Sequence, residues 1–571
     1  KILPFKKEAL FSKKLATINC DVPLKAGAGE IEYTGFKRET LIPYLEKLGF
    51  ESIIRRMNGG EIKGGTLNQE SFTFEREIGV AWDWKPIIKR MIKNKKEIPS
   101  NLFDLGVAGW LLNSEETDFA PEILIQKFLK SGAEETSQET MKRLFYELEH
   151  RIKRDGLENV FYKIEMPLIP ALAWLEIWGI QSDGEMLEKL GARMSEKISE
   201  LTKKIYSMAG GPFNINSPRQ VAEVIFERMK IRPVKNKRTS AGRRSTAEEV
   251  LLSLKDAHPI IPAILSYRET FKIKSTYAEP LLQFRDADKR IRTNFIQTGT
   301  ATGRLASEKP NLQNIPQESE WAKDLRDTFV AAPGFSFASF DYAQLELRLL
   351  AHLTLEEKLL RAFEENQDIH ALTASRVLKI PLNGVALPER RLGKTLNFGV
   401  VYGMGPRAFS QSAGVNLGEA KKFIDEYYLE FPKIKKWQDK IKAEAVSRGY
   451  VENLNGRRRW FWTGVQHPKM IGEIERAAIN MPLQSLGADI IKMAMINSLE
   501  KLKERGWFNS QARLILTIHD ELLFEIQDDI LMETVPLIKK LMEEIYPLAV
   551  PLTAEVKTGK RWGSLQKYSS R

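Results

Sequence analysis

Apolar and polar positions change rhythm several times along this chain. From Glu165-Met166-Pro167-Leu168 to about residue 285, Leu and Ile recur among Glu and Lys at helical spacing. Beyond about residue 291 short apolar runs alternate with helical stretches. Phe335–Phe340 predicts a strand that delivers Asp341 at its end, and Leu345, Leu349 and Leu353 predict the helix after it. Two apolar runs, Leu514–Ile518 and Leu522–Ile526, flank His519-Asp520-Glu521, which predicts a β-hairpin with the acids at its tip. Residues about 26–150 mix short apolar runs with loops such as Asn58-Gly59-Gly60 and Lys63-Gly64-Gly65, the texture of a small α/β domain. Neither an internal repeat nor a low-complexity tract is visible.

At 571 residues the chain exceeds a single core, and three or four domains are expected. An apolar content of 43% with 28% charge describes a globular protein. The net charge of +12 favours a polyanionic partner, but many unrelated proteins share it. Cys20 is the single cysteine, so a reducing compartment is expected and a cysteine-built zinc site is not. No apolar stretch approaches 18 residues, which argues against a membrane span. The chain opens at Lys1 rather than Met, as a fragment would. A basic stretch from Arg228 to Arg244 includes Lys235, Lys237, Arg238 and Arg243 and is broken by Pro233 and Gly242. A loop touching phosphates and a merely solvated loop fit it equally.

The acids carry the first chemical signal. Carboxylates at strand ends suit hard divalent ions, and phosphoryl transfer uses two such ions roughly 4 Å apart. Taken singly, Asp341 is as well read as a helix cap, and Asp520-Glu521 as a plain turn. The segment between them is sharper. Arg390, Lys394, Phe398 and Tyr402 advance about 40° per step, so they line one slowly drifting helix face. Pro388 suits the start of that helix and Gly403 its end. Its cations near the positive helix end make an anion site, and its aromatics offer flat surfaces to a sugar and a base. An amphipathic helix with aromatics in the core is the plain alternative. Gly393-Lys394-Thr395 is not a phosphate loop, because position 388, where that motif needs glycine, is Pro.

Several motifs follow in order: Thr302-Gly303-Arg304-Leu305-Ala306-Ser307, Asn311-Leu312-Gln313-Asn314-Ile315-Pro316, Asp341-Tyr342-Ala343-Gln344-Leu345-Glu346-Leu347-Arg348, the helix above, and His519-Asp520-Glu521. From about residue 160 onward the set closely resembles family A DNA polymerases, the bacterial DNA polymerase I type. The resemblance implies an α/β multidomain fold: a right-hand polymerase preceded by a degenerate RNase H-like 3′–5′ exonuclease domain. Residues 1–25 would be the tail of a 5′-nuclease domain and 26–155 the exonuclease-like domain. The thumb, with a first palm segment, would span 156–290, palm 291–354, fingers 355–475 and palm again 476–571.

It further implies two Mg²⁺ ions, with Mn²⁺ as a substitute, held by Asp341, Asp520 and the Tyr342 carbonyl, with Glu521 in support. Arg390 and Lys394 would grip the triphosphate, Lys394 also protonating pyrophosphate, with His370 and Gln344 at the nucleotide. Tyr402 would stack near the new pair. Glu346 would exclude a 2′-hydroxyl, and Phe398 would discriminate against sugars lacking the 3′-hydroxyl. DNA contacts fall to Arg304, Asn311, Gln313, Asn314, Arg476, Asn480, Gln484 and His519. Arg304 and Gln484 would read minor-groove acceptors that every correct pair presents alike. Ser485-Leu486-Gly487 departs from the family's common Gly-Thr-Ala there. Gly456-Arg457-Arg458-Arg459 fits a phosphate contact or a solvated turn.

In the N-terminal third, Asp83 and Leu102-Phe103-Asp104 resemble the second proofreading motif and the strand after it. No Asp-x-Glu occurs in residues 26–80, and the Tyr-xxx-Asp of the third motif is replaced by Tyr146 followed by His150. One surviving acid cannot hold two metals, so proofreading is expected to be absent. The implied activity is template-directed extension of a primer 3′-end with dNTPs by a monomeric enzyme on primer-template DNA. A bacterial nucleoid in the cytoplasm is the expected location, with organellar or viral origin also open. A nuclease using the same acids leaves the Arg390–Tyr402 face and Glu346 unexplained. A non-catalytic DNA-binding descendant leaves the intact acids and cations unexplained.

Overall fold

Phe335–Tyr342 is the central strand of a five-stranded antiparallel sheet, running in the order Ala512–Ile518, Glu521–Gln527, Phe335–Tyr342, Ala554–Gly559, Gln566–Lys567. The computed structural model describes residues 72–73, 78–130, 137–232, 244–461 and 468–569. The expected 1–25 tail, both glycine loops and most of the Arg228–Arg244 stretch lie outside the described residues. Arg228 itself pairs with Glu223 at 2.8 Å.

Side-chain alternation puts Phe340, Leu522 and Val556 on one face of the sheet and Asp341, Glu521 and Glu555 on the other. Phe340 and Phe524 meet edge-on at 5.5 Å beneath the first face. The Tyr342 hydroxyl donates to the Met542 carbonyl at 2.7 Å, tying the strand to the Leu531–Glu544 helix. Behind the acids, the Leu345–Thr354 helix packs on the 37-residue Pro468–Glu504 helix. Gly487 lies there against Leu345 and Leu349, with room for a Cβ at ordinary contact, and Ser485 is fully buried. The unusual Ser485-Leu486-Gly487 therefore packs without conflict.

Six helices between Glu357 and Arg448 share the main core with the sheet. Among them Ile369–Leu378 and Leu387–Val401 pack unusually close at Gly393, whose absent Cβ would lie 2.1 Å from the His370 carbonyl oxygen. A long helix, Gly184–Ala209, leaves the main core at Leu187 and Leu190 and ends in a separate small core with Ile205, Ile225 and Ile264. At 26 residues it spans about 39 Å.

A second large core, built on Val80, Trp84, Phe103, Trp110 and Phe161, belongs to a three-stranded sheet and its helices. Its strands Gly79–Ala81 and Leu102–Asp104 run parallel, and the helices that follow are capped by Asp83 and Asp104. Among the described residues no helix is long and apolar enough to cross a membrane.

Candidate active site

The acids meet where the hairpin closes beside the central strand. Glu521 stands opposite Asp341 in register, and the Tyr342 amide donates to the Asp520 carbonyl at 3.2 Å. Asp520 sits in the two-residue turn, after His519 with a left-handed φ of 52°. Asp341 does not cap the following helix, whose N-cap is Gln344, also left-handed at φ 55°. Burial and the Glu521 carboxylate push Asp341 up to about 6. Burial lifts Asp520 to about 6 as well, with Arg304 opposing and Glu346 and Asp341 adding to the rise. Such uncompensated carboxylates are a donor set that a hard divalent cation would neutralise. Glu521 instead accepts from Ser339 at 2.6 Å and faces the Trp562 indole. Among the described residues no group of three or more His, Cys, Asp or Glu is arranged for a metal. What the described residues offer a divalent ion is therefore a pair of buried aspartates, not a preformed cluster of three side chains.

Glu346 is buried in the first turn of the Leu345–Thr354 helix that follows Asp341, and it ties that helix to the cationic one. It accepts from Arg304 at 2.7 Å and from the Tyr402 hydroxyl. Burial and this carboxylate push the Tyr402 phenol well above its usual value. Tyr402 caps the C-terminus of the Leu387–Val401 helix, and Gly403 follows with φ 64°, so Pro388 and Gly403 bound the element as their chemistry requires. The exposed Arg476 side chain packs on Gly403.

Toward the other end of the helix, Lys394 is exposed and Arg390 pairs with Asp368 at 2.5 Å. Asp368 also caps the Ile369–Leu378 helix through the His370 and Ala371 amides. His370 is buried, its Nδ1 is 3.1 Å from the Asn397 amide, and its ring tilts against Phe398 at 5.8 Å. Burial drives His370 down to about 4, with Arg390 and Lys394 reinforcing and Asp368 opposing. Arg390, Lys394, His370 and Phe398 therefore share one neighbourhood, at a helix end where anions are favoured.

The remaining residues expected to contact DNA differ in burial and in their partners. Gln313 is buried, and its side chain reaches the Thr517 carbonyl at 3.4 Å. Asn311 is exposed and accepts from the Ser307 hydroxyl and the Asn314 amide. A small cavity of about 40 Å³ brings Arg304, Gln313, His519 and Asp520 together. Gln484 is half-buried on the Pro468–Glu504 helix. The Asn480 side-chain oxygen is buried without a hydrogen-bond partner among the described residues.

One expectation needs correction. Arg457 is neither a phosphate contact nor a solvated turn: it is fully buried, paired with Asp489 at 2.6 Å and with Glu165. Lys492 joins the same Glu165 at 2.7 Å. Burial alone would raise Glu165, yet Lys492 and Arg457 outweigh it and hold the carboxyl low. Its neighbours in sequence are engaged too, Arg458 with Glu452 and Arg459 with Glu115. The run of three arginines suggested a basic surface, and nothing local signals that carboxylates distant in sequence converge on one of them.

In the smaller domain, Asp83 and Asp104 both serve as helix caps, accepting from Lys85 N and Val107 N. Burial and Asp83 push Asp104 up to about 8. Lys85 bridges to Glu176 at 2.7 Å, to Asn294 and to the Phe295 carbonyl, which places a cation beside the surviving acid. Tyr146 and His150 are exposed on the Gln138–Arg154 helix.

Comparison with known proteins gives the family. The family model for DNA polymerase family A matches residues 184–564, and the chain belongs to that family. It is 40% identical to the thermostable DNA polymerase I of Thermus thermophilus over 80% of this chain and 55% of that protein. DNA polymerase I of Caldicellulosiruptor bescii is 33% identical over 98% of this chain and 72% of that protein. The polymerase domain of Pol1 from M. smegmatis, solved in complex with a DNA primer-template and dNTP, superposes with a TM-score of 0.80 at 30% identity. That match covers 85% of this chain and 86% of the Pol1 chain. The chain spans about half the length of that Thermus thermophilus enzyme and of its Thermus aquaticus counterpart. Divalent metal ions serve family A polymerases generally.

Proposed function

We propose that this chain is a DNA-directed DNA polymerase that extends a primer 3′-end with dNTPs and does not proofread. One observation carries the reading: Asp341 and Asp520 adjoin at one sheet end, and Glu346, close enough to Asp520 to raise its carboxyl, binds Tyr402 at the end of the helix bearing Arg390 and Lys394. Two Mg²⁺ ions bound at Asp341, Asp520 and the Tyr342 carbonyl would activate the primer oxygen and stabilise the departing one. The chain's own groups supply position and charge, which is most of what phosphoryl transfer needs. Lys394, already exposed, receives the triphosphate. Arg390 exchanges Asp368 for a phosphate, and the neutral His370 donates from its free nitrogen. Lys394 also supplies a proton to the departing pyrophosphate.

Glu346 is held against the sugar site by two donors, so it cannot swing aside for a 2′-hydroxyl. Arg304, Gln484, Arg476, Asn480 and the Asn311–Asn314 turn face the duplex. In this reading the sheet with the Pro468–Glu504 helix is the palm, the 357–448 bundle the fingers, and the Gly184–Ala209 and Ile260–Ile273 pair the thumb. The protein works as a monomer, in the bacterial nucleoid. The nuclease-like domain lacks its metal set, since Asp83 caps a helix beside Lys85 and no second acid of the required motifs exists in the sequence.

Primer extension with matched and 3′-mismatched primers, with and without Mg²⁺, tests both halves. Metal-dependent extension with no excision of the mismatch is expected. Excision abolished by Asp83→Ala overturns the second half, and absence of dNTP-dependent extension overturns the first.

A further inference from the structure

We infer that the nuclease-like domain serves polymerisation as a scaffold, with Trp110 as a positioning residue for Arg304. The inference rests on the polymerase reading above. Residues 297–304 leave the Asn294–Ile296 strand and end at Arg304. This loop and the strand before it are held at four points, two of them, Lys85 and Trp110, from the nuclease-like domain. Lys85 reaches Asn294 and the Phe295 carbonyl at its root. Gln297 donates to the Glu165 carbonyl at 2.9 Å. The Trp110 indole N–H donates to the Thr300 carbonyl at 3.1 Å. Gly303, with φ 87°, lies directly on Arg457, whose guanidinium carbon would be 2.9 Å from any Cβ there.

The Trp110 contact is the one with a direct line to the reacting groups. The Thr300 hydroxyl donates to the Arg304 carbonyl at 2.8 Å, and Arg304 donates to Glu346, which also binds Tyr402. Trp110 is 1% exposed, and both Arg457 and Lys492 lie 5.3 Å from its ring. Those two cations are fixed in turn by Glu165 and Asp489. The indole therefore cannot retreat, and its N–H sets how far Thr300 stands from the palm. The plain alternative is a core aromatic whose only task is to fill space in the second core, to which Trp110 also belongs. A filling role needs the ring and not the N–H.

Full-length Trp110→Phe keeps an aromatic ring and removes that donor. It is assayed in single-nucleotide extension from a matched primer ending in guanine, the same primer ending in 3-deazaguanine, which lacks the N3 acceptor, and a mismatched primer. In the parent protein the deaza primer should be extended more slowly, because Arg304 reads that acceptor. Trp110→Phe should lower kcat on the natural primer about three- to tenfold, the rate equivalent of one hydrogen bond, with KM for dNTP within about twofold. The deaza penalty and the matched-to-mismatched ratio should both shrink, since a displaced Arg304 has less to lose. A folded Trp110→Phe protein with the parent's penalty and ratio overturns the inference. A parent protein indifferent to 3-deazaguanine instead removes the Arg304 reading itself. Should Trp110→Phe lose its cooperative thermal transition, Gly303→Ala, which displaces the loop from the Arg457 side, must show the same shrinkage, and the inference falls if it does not.

Discussion

Replacing Gly393 by alanine perturbs the proposed nucleotide grip without altering any side chain that would contact a nucleotide. The added Cβ would lie 2.1 Å from the His370 carbonyl oxygen, 3.0 Å from the Ala374 amide nitrogen and 3.2 Å from the Ala374 Cβ. The first of these is about 1.3 Å inside ordinary van der Waals separation, and it is backbone on both sides, so no rotamer change relieves it. The Leu387–Val401 helix must move away from Ile369–Leu378 by about that amount or tilt. Overpacking of this kind costs about 1–3 kcal/mol in stability. The functional loss should be larger. His370 and the Asp368 cap belong to one helix, Arg390 and Lys394 to the other, and a misplacement of about 1 Å between cooperating groups can cost about 100-fold. Gly393→Ala should therefore lower kcat/KM for dNTP by about 10- to 100-fold. Its Kd for primer-template should stay within about twofold of the parent's, because duplex contacts lie on other elements. Rapid-quench single-turnover extension across a dNTP series, with fluorescence anisotropy for DNA, separates the two. Parent-like dNTP kinetics in a folded Gly393→Ala protein would refute the claim that these two helices form the nucleotide grip.

Other perturbations test separate parts of the account. Phe398→Tyr places a hydroxyl where the absent 3′-hydroxyl of a dideoxynucleotide would be, and dideoxy incorporation in a termination assay should rise by at least about tenfold. His370, lowered to about 4 by burial, binds its proton later than the unfolded chain does. Its contribution to stability is therefore complete above the unfolded value near 6.5 and is lost as pH falls from there toward 4, by up to about 3 kcal/mol. Urea melts at both pH limits should show that loss in the parent and not in His370→Gln. Arg457→Leu leaves Asp489 without its buried cation partner and should cost about 3–5 kcal/mol in chemical denaturation. A change under about 1 kcal/mol would contradict the buried-network description.

Much of the site was legible because its elements are locally encoded. The strand before Asp341, the hairpin at His519-Asp520-Glu521 and the helix from Pro388 to Gly403 all follow from apolar period and punctuating residues, and each forms where expected. Arg457 was misread for the opposite reason. A buried cation is specified by partners distant in sequence, Asp489 at 32 residues and Glu165 at 292, and a run of arginines looks the same exposed or enclosed. The Asp368–Arg390 pair and the Lys85–Glu176 bridge were missed likewise, although Asp368 before Ile369-His370 carries a readable N-cap signal. Trp110 had no sequence signal at all, since its partner is a backbone carbonyl in another domain.

The central claim is that Asp341 and Asp520 together hold the ions that drive the chemistry while other residues hold the DNA. Asp341→Asn and Asp520→Asn, each nearly isosteric, should reduce single-turnover extension in Mg²⁺ by about 1000-fold or more and leave primer-template Kd within a few-fold of the parent's. Extension at near-parent rates in either variant, or loss of duplex binding in step with loss of extension, would contradict the account.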